Sequence, residues 1–396
     1  MTNLWYPRKE SPFLGLTGMG GGVASLMWAS AGEGPYDLWS WGQNSNGTLG
    51  HNNQTDYSSP KQVPGNWMKV ATGRNYSCSA GIKEGGTLWT WGANSQGDLG
   101  HNNKTQYSSP KQVGTGTDWA DIAGTQYGMC GLKTDGTLWT WGGNMNGILG
   151  LNAGGNPGRK SSPTQVGTNN NWATIQGGAF ISCTKTDGTL WCWGDNGQGQ
   201  LGVNTTITYS SPVQVGTDTT WSLTGRGGGY NFLATKTDNT LWVCGFNGQA
   251  QLGLGSPGPT KLSSPTQLSG GGYTSFPNRP FTSTGASGVA SGTKLLMWGL
   301  NNYGQKGNGN TTTDVTNNFY DTALDGPWLT GAATENTSGA IKENGELWMW
   351  GYNNWGMCAQ GTSGNSYSSP RQVGTDTDWV ELASASEHSF MALKKQ

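Results

Sequence analysis

Three histidines, six cysteines and one glycine-rich hexapeptide are the residues of this 396-residue chain best suited by type to do chemistry. A histidine works as a general base only when another group orients it and a substrate proton is within reach. His51 and His101 instead recur at equivalent places in two "LGHNN" segments, and His388 stands alone in "EHSF". The repeated pair is expected to be a loop residue. Cys78, Cys130, Cys183, Cys192, Cys244 and Cys358 show neither a C-x-x-C spacing nor a grouping with histidine that would suit zinc. Most alternate with apolar or small residues, so buried free thiols and a reducing compartment are expected. "GQGQLG", Gly197 to Gly202, formally fits the dinucleotide fingerprint, but no helical period follows it to receive a pyrophosphate. Asp135, Asp187 and Asp238 stand in hairpin turns, where a carboxylate bonds its own backbone. No catalytic group, cofactor or metal site is expected, and the chain is read as non-enzymatic.

Charge narrows the partners. With 22 basic and 23 acidic side chains and a net charge of −1, the only tail cations are Arg8, Lys9, Lys394 and Lys395. Phosphate recognition needs a denser basic footprint, so no nucleic acid partner is expected. No segment is long and apolar enough for a membrane helix, and sequons such as Asn46-Gly47-Thr48 and Asn103-Lys104-Thr105 read as turn chemistry in a chain without a signal peptide. Only 33% of residues are hydrophobic and 68 are glycine, yet 21 are tryptophan. Disordered chains are poor in aromatics, so these indoles must be buried in something repetitive.

The repeat is legible in the indoles. One series runs Trp41, Trp91, Trp141, Trp193, Trp298, Trp350, with Cys244 in the remaining slot, at steps of 50 to 54 residues. Two residues earlier stand Trp39, Trp89, Trp139, Trp191, Trp242 and Trp348, with Leu296 as the exception. A third series is Trp67, Trp119, Trp172, Trp221, Trp328 and Trp379, with Tyr273 near the missing place.

Within one unit, Trp119 to Ala123 and Tyr127 to Lys133 read as strands, Asp135-Gly136 as a hairpin turn, and Thr137 to Trp141 as the returning strand. A period of two puts Trp139 and Trp141 on one face, where full burial of each indole is expected. The spacing of Gly142, Asn144, Gly147 and Gly150 suits a tight irregular loop, and the proline of Ser161-Ser162-Pro163 suits the start of an edge strand. The class is all-β, at about four strands per unit.

Such sheets are best closed into a ring, which leaves only short, protected edges. The first unit starts abruptly at Asp37 without its preceding strands, and the chain stops after "HSFMALKKQ" where a Trp-x-Trp strand should follow. The two ends complete one another. The expectation is a seven-bladed β-propeller of four-stranded blades about 51 residues long over residues 36–396, closed by pairing of N- and C-terminal strands.

"LWTWGANSQGDLG", "LWTWGGNMNGILG" and "LWCWGDNGQGQLG" resemble the repeat of the regulator-of-chromosome-condensation family, whose fold is such a propeller. The resemblance covers about nine tenths of the chain. The family spans exchange factors for the small GTPase Ran, ubiquitin-ligase and kinase accessory domains, a plant ultraviolet-B photoreceptor, and phage and bacterial proteins, so fold does not choose a role. The family's histidine at the head of the second strand is matched only by His388, with Tyr76, Tyr127, Phe180 and Tyr230 taken as the corresponding places. The basic tail of exchange factors and the photoreceptor's Gly-Trp-Arg-His-Thr motif are absent.

Residues 1–35 stand outside the repeat as an arm with aromatic and apolar side chains at Trp5, Tyr6, Phe13, Leu14 and Leu16. This stretch resembles the leading segments of phage tail or capsid-associated proteins. That resemblance implies a virion structural protein, made in the host cytoplasm, joined to other virion proteins through the arm and able to meet a host surface receptor. The alternative is a cytoplasmic protein-interaction scaffold or small-GTPase regulator. Contact sites are expected in the irregular loops Asn152 to Lys160 and Gly255 to Leu262, in the divergent "TNNFYDTALDGPW", and at an exposed Trp355 outside the three series.

Overall fold

Each Trp-x-Trp strand, like its counterparts at Trp242–Cys244 and Leu296–Trp298, lies third from the hub in a four-stranded antiparallel blade, and seven such blades, two of them sharing one strand within a seven-stranded sheet, make up the computed structural model of the protein. It describes residues 34–73, 78–153, 158–225, 229–254, 258–268, 280–283, 285–313, 320–384 and 388–396. We call the strands of a blade a to d from the hub outward. Blade 1 consists of the trailing half of Tyr57–Thr72, then Cys78–Lys83, Thr87–Gly92 and Tyr107–Gln112. Blade 2 is Trp119–Thr125, Gly128–Lys133, Leu138–Gly142 and Lys160–Gln165, within two or three residues of the sequence expectation. Blades 3 to 6 repeat the order, with strands a beginning at Trp172, Trp221, Phe281 and Trp328.

Blade 7 is assembled from both extremities. Trp379–Ser384 and Ser389–Lys395 supply strands a and b, Tyr36–Gly42 supplies c, and the leading half of Tyr57–Thr72 supplies d. Seven consecutive residue pairs, from Tyr36 with Lys395 to Gly42 with Ser389, zip the two ends together. One 16-residue strand, Tyr57–Thr72, therefore serves as the rim of blade 7 and the hub of blade 1.

The core is divided into seven clusters, one between each pair of neighbouring blades. At the blade 1/blade 2 interface, Trp119, Trp139 and Trp141 of blade 2 pack on Ile82, Leu88 and Leu99 of blade 1. Both indoles of the pair share a face, as the strand period requires. They differ in depth. Trp41, Trp91, Trp141, Trp193, Trp298 and Trp350 are fully buried, whereas Trp39, Trp89, Trp139, Trp191, Trp242 and Trp348 are only half-buried. Uniform burial of the pairs was thus too generous, because the first indole lies where the b–c hairpin turns into solvent.

Blade 5 departs furthest from the pattern. Its a and d strands are the two-residue Phe281–Thr282 and Tyr320–Asp321, and its interface with blade 4 sets Val289, Leu296 and Trp298 against aliphatic neighbours. The buried hub aromatic here is Phe281; Tyr273 lies outside the described residues. All six cysteines are free and buried, and burial raises their thiol pKa values.

Proline does not begin the edge strand but sits inside it. In blade 2 the pairs Thr140–Thr164 and Gly142–Lys160 leave Ser161, Ser162 and Pro163 in a bulge, a place that dispenses with the missing N–H. The same shift recurs opposite the second indole in blades 1, 3, 6 and 7 and opposite Cys244 in blade 4.

Candidate functional site

The loops joining strands c and d form one face of the wheel, and a repeated asparagine fixes their backbone. Asn44, Asn94, Asn144, Asn196, Asn247, Asn301 and Asn353 are buried, and each side-chain oxygen accepts the N–H five residues on at 2.8 to 3.0 Å. Two further links tie most of these loops to the next blade. The second indole of the following pair donates Nε1–H to a loop carbonyl, as from Trp91 to Thr48 (2.7 Å), Trp193 to Ile148 (3.0 Å), Trp350 to Gln305 (2.9 Å) and Trp41 to Met357 (2.8 Å). A loop N–H then reaches the carbonyl of the first serine in the bulge, as from Asn52 to Ser108 (2.7 Å) and Asn152 to Ser210 (2.8 Å). Ser-Ser-Pro is therefore an inter-blade acceptor as well as an edge.

One step of this ladder is strained. Trp141 Nε1 has no partner, and Asp98, in the loop that should receive it, is fully buried with Oδ1 unbonded while the Gln96 N–H reaches Oδ2 at 3.1 Å. Burial pushes the Asp98 carboxyl up to about 6, and backbone N–H groups offset this only in part. Thr48, Ile148, Gln200, Gln251, Gln305 and Met357 occupy the same place in the other blades.

The two equivalent histidines are loop braces. His51 and His101 hydrogen-bond through Nε2 to Ser40 Oγ (2.9 Å) and Thr90 Oγ1 (3.0 Å), and pack on Tyr57 and Tyr107 with ring centroids 5.1 and 5.3 Å apart. Burial, with Lys61 and Lys111 adding repulsion, pulls both imidazoles down to about 4. They stay neutral near pH 7 and offer no titrating base there. The hairpin aspartates do bond their own turns. Thr137 N–H and Oγ1–H both donate to Asp135 Oδ1, at 2.9 and 2.7 Å, and Thr137 Oγ1 in turn accepts Trp139 Nε1–H at 2.9 Å. Asp187 and Asp238 repeat the relay with Trp191 and Trp242. "GQGQLG" is one more c–d loop, with Gly199 and Gly202 at positive φ.

The opposite face carries a feature that sequence reasoning missed. At the end of strand b a lysine ammonium sits between the hub indole and the first indole of the pair. Lys236 Nζ is 3.7 Å from the Trp242 ring and 4.9 Å from Trp221, and Lys83, Lys133, Lys185, Lys342 and Lys394 repeat the clamp. Such contacts are worth ~0.5–2 kcal/mol each. Their spacing was available in the sequence, since lysine stands six residues before the first indole in Lys83/Trp89, Lys133/Trp139, Lys185/Trp191, Lys236/Trp242 and Lys342/Trp348. Blade 5, with Ser291 and Leu296, lacks the clamp.

Side chains vary most at the tips of the c–d loops. The residue before the loop's second glycine, or before Ala250 in blade 4, is Asn46, Gln96, Asn146, Gln198 or Gln249 in five blades, but Tyr303 and Trp355 in blades 5 and 6. With Tyr352 these form a continuous aromatic row, with centroids 4.7 Å apart for Tyr303–Tyr352 and 5.9 Å for Tyr352–Trp355. Trp355 is half-buried rather than exposed, because the His388 ring of blade 7 lies against it at 4.1 Å. Strand register equates His388 with Tyr127 and Tyr230 but with Ala179 instead of Phe180, which points into the core; Tyr76 lies outside the described residues.

Of the other expected contact loops, residues 154–157, 255–257 and 314–319 are outside the described set, as are Trp5, Tyr6, Phe13, Leu14 and Leu16 of the arm. The flanks are anchored: Asn152 N–H bonds Ser210, and Asn247 binds Thr260 and Pro259. At the hub lies a cavity of about 80 Å³ lined by Lys69, Asp121, Phe281 and Glu381, room for a few waters. Among the described residues no three His, Cys, Asp or Glu side chains are grouped to hold a metal.

Comparison with known proteins gives this architecture a lineage. Over 197 residues, 45% of the chain, it is 27% identical to the mitochondrial RCC1 domain-containing protein RUG3 of Arabidopsis thaliana, and it spans about two-fifths (41%) of that relative's length. The crystal structure of human WBSCR16 superposes with a TM-score of 0.78 at 17% identity, covering 91% of this chain and 99% of that one. Prp20p of Saccharomyces cerevisiae, described with its binding properties to Gsp1p and histones, gives 0.79 at 17% identity, covering 92% of each chain. Identities this low show a shared fold. The sequence itself matches the regulator of chromosome condensation (RCC1) repeat over residues 37–80, 85–131, 135–184, 187–232 and 344–392, leaving out mainly the stretch that holds divergent blade 5. Sharing that repeat over more than half its length, the chain belongs to the RCC1 repeat family.

Proposed function

We propose that this protein is a non-enzymatic protein-interaction scaffold that presents the c–d loop face of a rigid wheel to a partner protein. The observation that carries this reading is a loop backbone held the same way in seven blades by buried asparagine, while the tip residue changes from amide to aromatic in two adjacent blades. Constant frame with variable tips is how binding loops are built on rigid folds. Prp20p, with the same fold, is described as binding Gsp1p and histones, which favours protein binding here over the virion role inferred from the arm. A small-GTPase partner is the narrower form of the reading.

The test is site-specific photo-crosslinking in the native host, with benzoylphenylalanine at position 303 or 355 and, on the opposite face, at 85. Crosslinks to one protein from 303 and 355 but not 85 are expected. Crosslinks from 85 alone, or from none, would refute the loop-face reading. Recovery of the chain in purified particles, with crosslinks to capsid or tail proteins, would restore the virion role.

A further inference from the structure

This protein repeatedly places its own cations on its own aromatic rings. Six lysines fill the indole clamps, and on the rim Lys61, Lys111 and Arg371 lie 4.1 to 4.3 Å from the rings of Tyr57, Tyr107 and Tyr367. The row Tyr303–Tyr352–Trp355 differs. Among the described residues no lysine or arginine lies over any of its three rings; all three are partly open to solvent, and the ring that does lie against Trp355 is the His388 imidazole, at 4.1 Å. The rings are set at 56° and 71° to one another, so the row combines faces and edges instead of a flat stack.

The backbone of an acidic residue adjoins the row. Glu335 directly precedes Asn336, whose carbonyl accepts the Tyr352 N–H at 2.9 Å. Glu335 is half-exposed, and no lysine or arginine of the described residues pairs with it. The exposed neighbours Asn302 and Asn354 are uncharged. Negative π faces and an acidic residue on the adjoining loop favour the same charge in a ligand.

We propose that Tyr303, Tyr352 and Trp355, with Glu335, form a receptor for a cationic side chain, arginine or lysine, on the partner protein. The inference rests on the scaffold reading and names its partner chemistry. Arginine suits it best, since a planar guanidinium stacks on an aromatic ring while donating to a carboxylate.

The probes are three peptides, acetyl-Gly-Arg-Gly amide, its trimethyllysine counterpart and its glutamine counterpart, titrated into full-length protein carrying ¹⁵N-indole tryptophan. The Trp355 resonance is identified by its disappearance in Trp355→Phe. The arginine and trimethyllysine peptides should shift it saturably in the millimolar range, and the glutamine peptide should bind at least tenfold more weakly. Glu335→Gln should weaken the arginine peptide several-fold with the indole spectrum otherwise unchanged, and Tyr303→Leu should do the same without touching the core. No saturable shift, or equal binding of the glutamine peptide, would overturn the proposal, as would binding of chitotriose without binding of the arginine peptide. If loop-face crosslinks survive in Glu335→Gln and Tyr303→Leu, the scaffold reading stands while the cation receptor falls.

Discussion

Replacing Asp98 by asparagine should stabilise the protein at neutral pH. The Asp98 side chain is wholly buried between blades 1 and 2, and its carboxyl is raised from 3.8 to about 6. A raised acid pKa means that the folded state holds its proton while the unfolded chain has already lost it. Stability is therefore full below about pH 4, falls as pH rises from about 4 to 6, and stays lost above that. About two pKa units at 1.36 kcal/mol each give roughly 3 kcal/mol at pH 8, an order-of-magnitude figure. Asparagine keeps an oxygen for the Gln96 N–H and carries no charge. Its amide hydrogens, unpartnered like Gln200 Nε2 at the equivalent place, offset part of the gain. Urea midpoints of wild type and Asp98→Asn at pH 4 and pH 8 test this, with the slope compared to check that the denatured state is unchanged. The variant should match wild type at pH 4 and exceed it by about 1–3 kcal/mol at pH 8. Equal stability at pH 8, or a gain of the same size at both pH values, would refute the burial of an ionised carboxylate as the cause.

Further outcomes follow from the same geometry. Gly147 and Gly114 both have positive φ, 67° and 61°, but a Cβ on Gly147 would lie 2.4 Å from Ser210 Cβ while one on Gly114 meets nothing. Gly114→Ala should cost ~1–2 kcal/mol from backbone strain alone, and thermal or urea unfolding should show Gly147→Ala to be clearly worse. Lys236→Met should lower stability by ~0.5–2 kcal/mol through loss of the clamp on Trp221 and Trp242, with near-ultraviolet circular dichroism reporting the indoles. The imidazoles of His51 and His101, depressed to about 4, should show flat proton shifts from pH 8 to 5 in NMR. They contribute stability that is full above about pH 6.5 and lost as pH falls towards 4.

The number of blades and the closing pair of strands were legible because indoles at a 50- to 54-residue step leave few alternatives, and because the missing half-units at the two ends are complementary. The turn aspartates were legible because their bonds are local. What escaped was set by contacts across blades. The bulge at Ser161–Pro163 depends on a carbonyl serving the preceding blade's Asn102. Trp355 read as exposed because the His388 that covers it comes from another blade. Phe281 escaped because its strand has shrunk to two residues, too short to show a period.

The pairing of Tyr36–Gly42 with Ser389–Lys395 also sets a timetable. A ribosome adding about 5–20 residues per second makes the second strand some 20–70 s after the first. Throughout that interval the earlier strand keeps an open edge, and Trp41 lacks the carbonyl of Met357 until nearly all of the chain has emerged. Nascent chains are thus committed to a long wait with an unpaired edge, and their survival depends on whatever shields it until the strand at residues 389–395 is made.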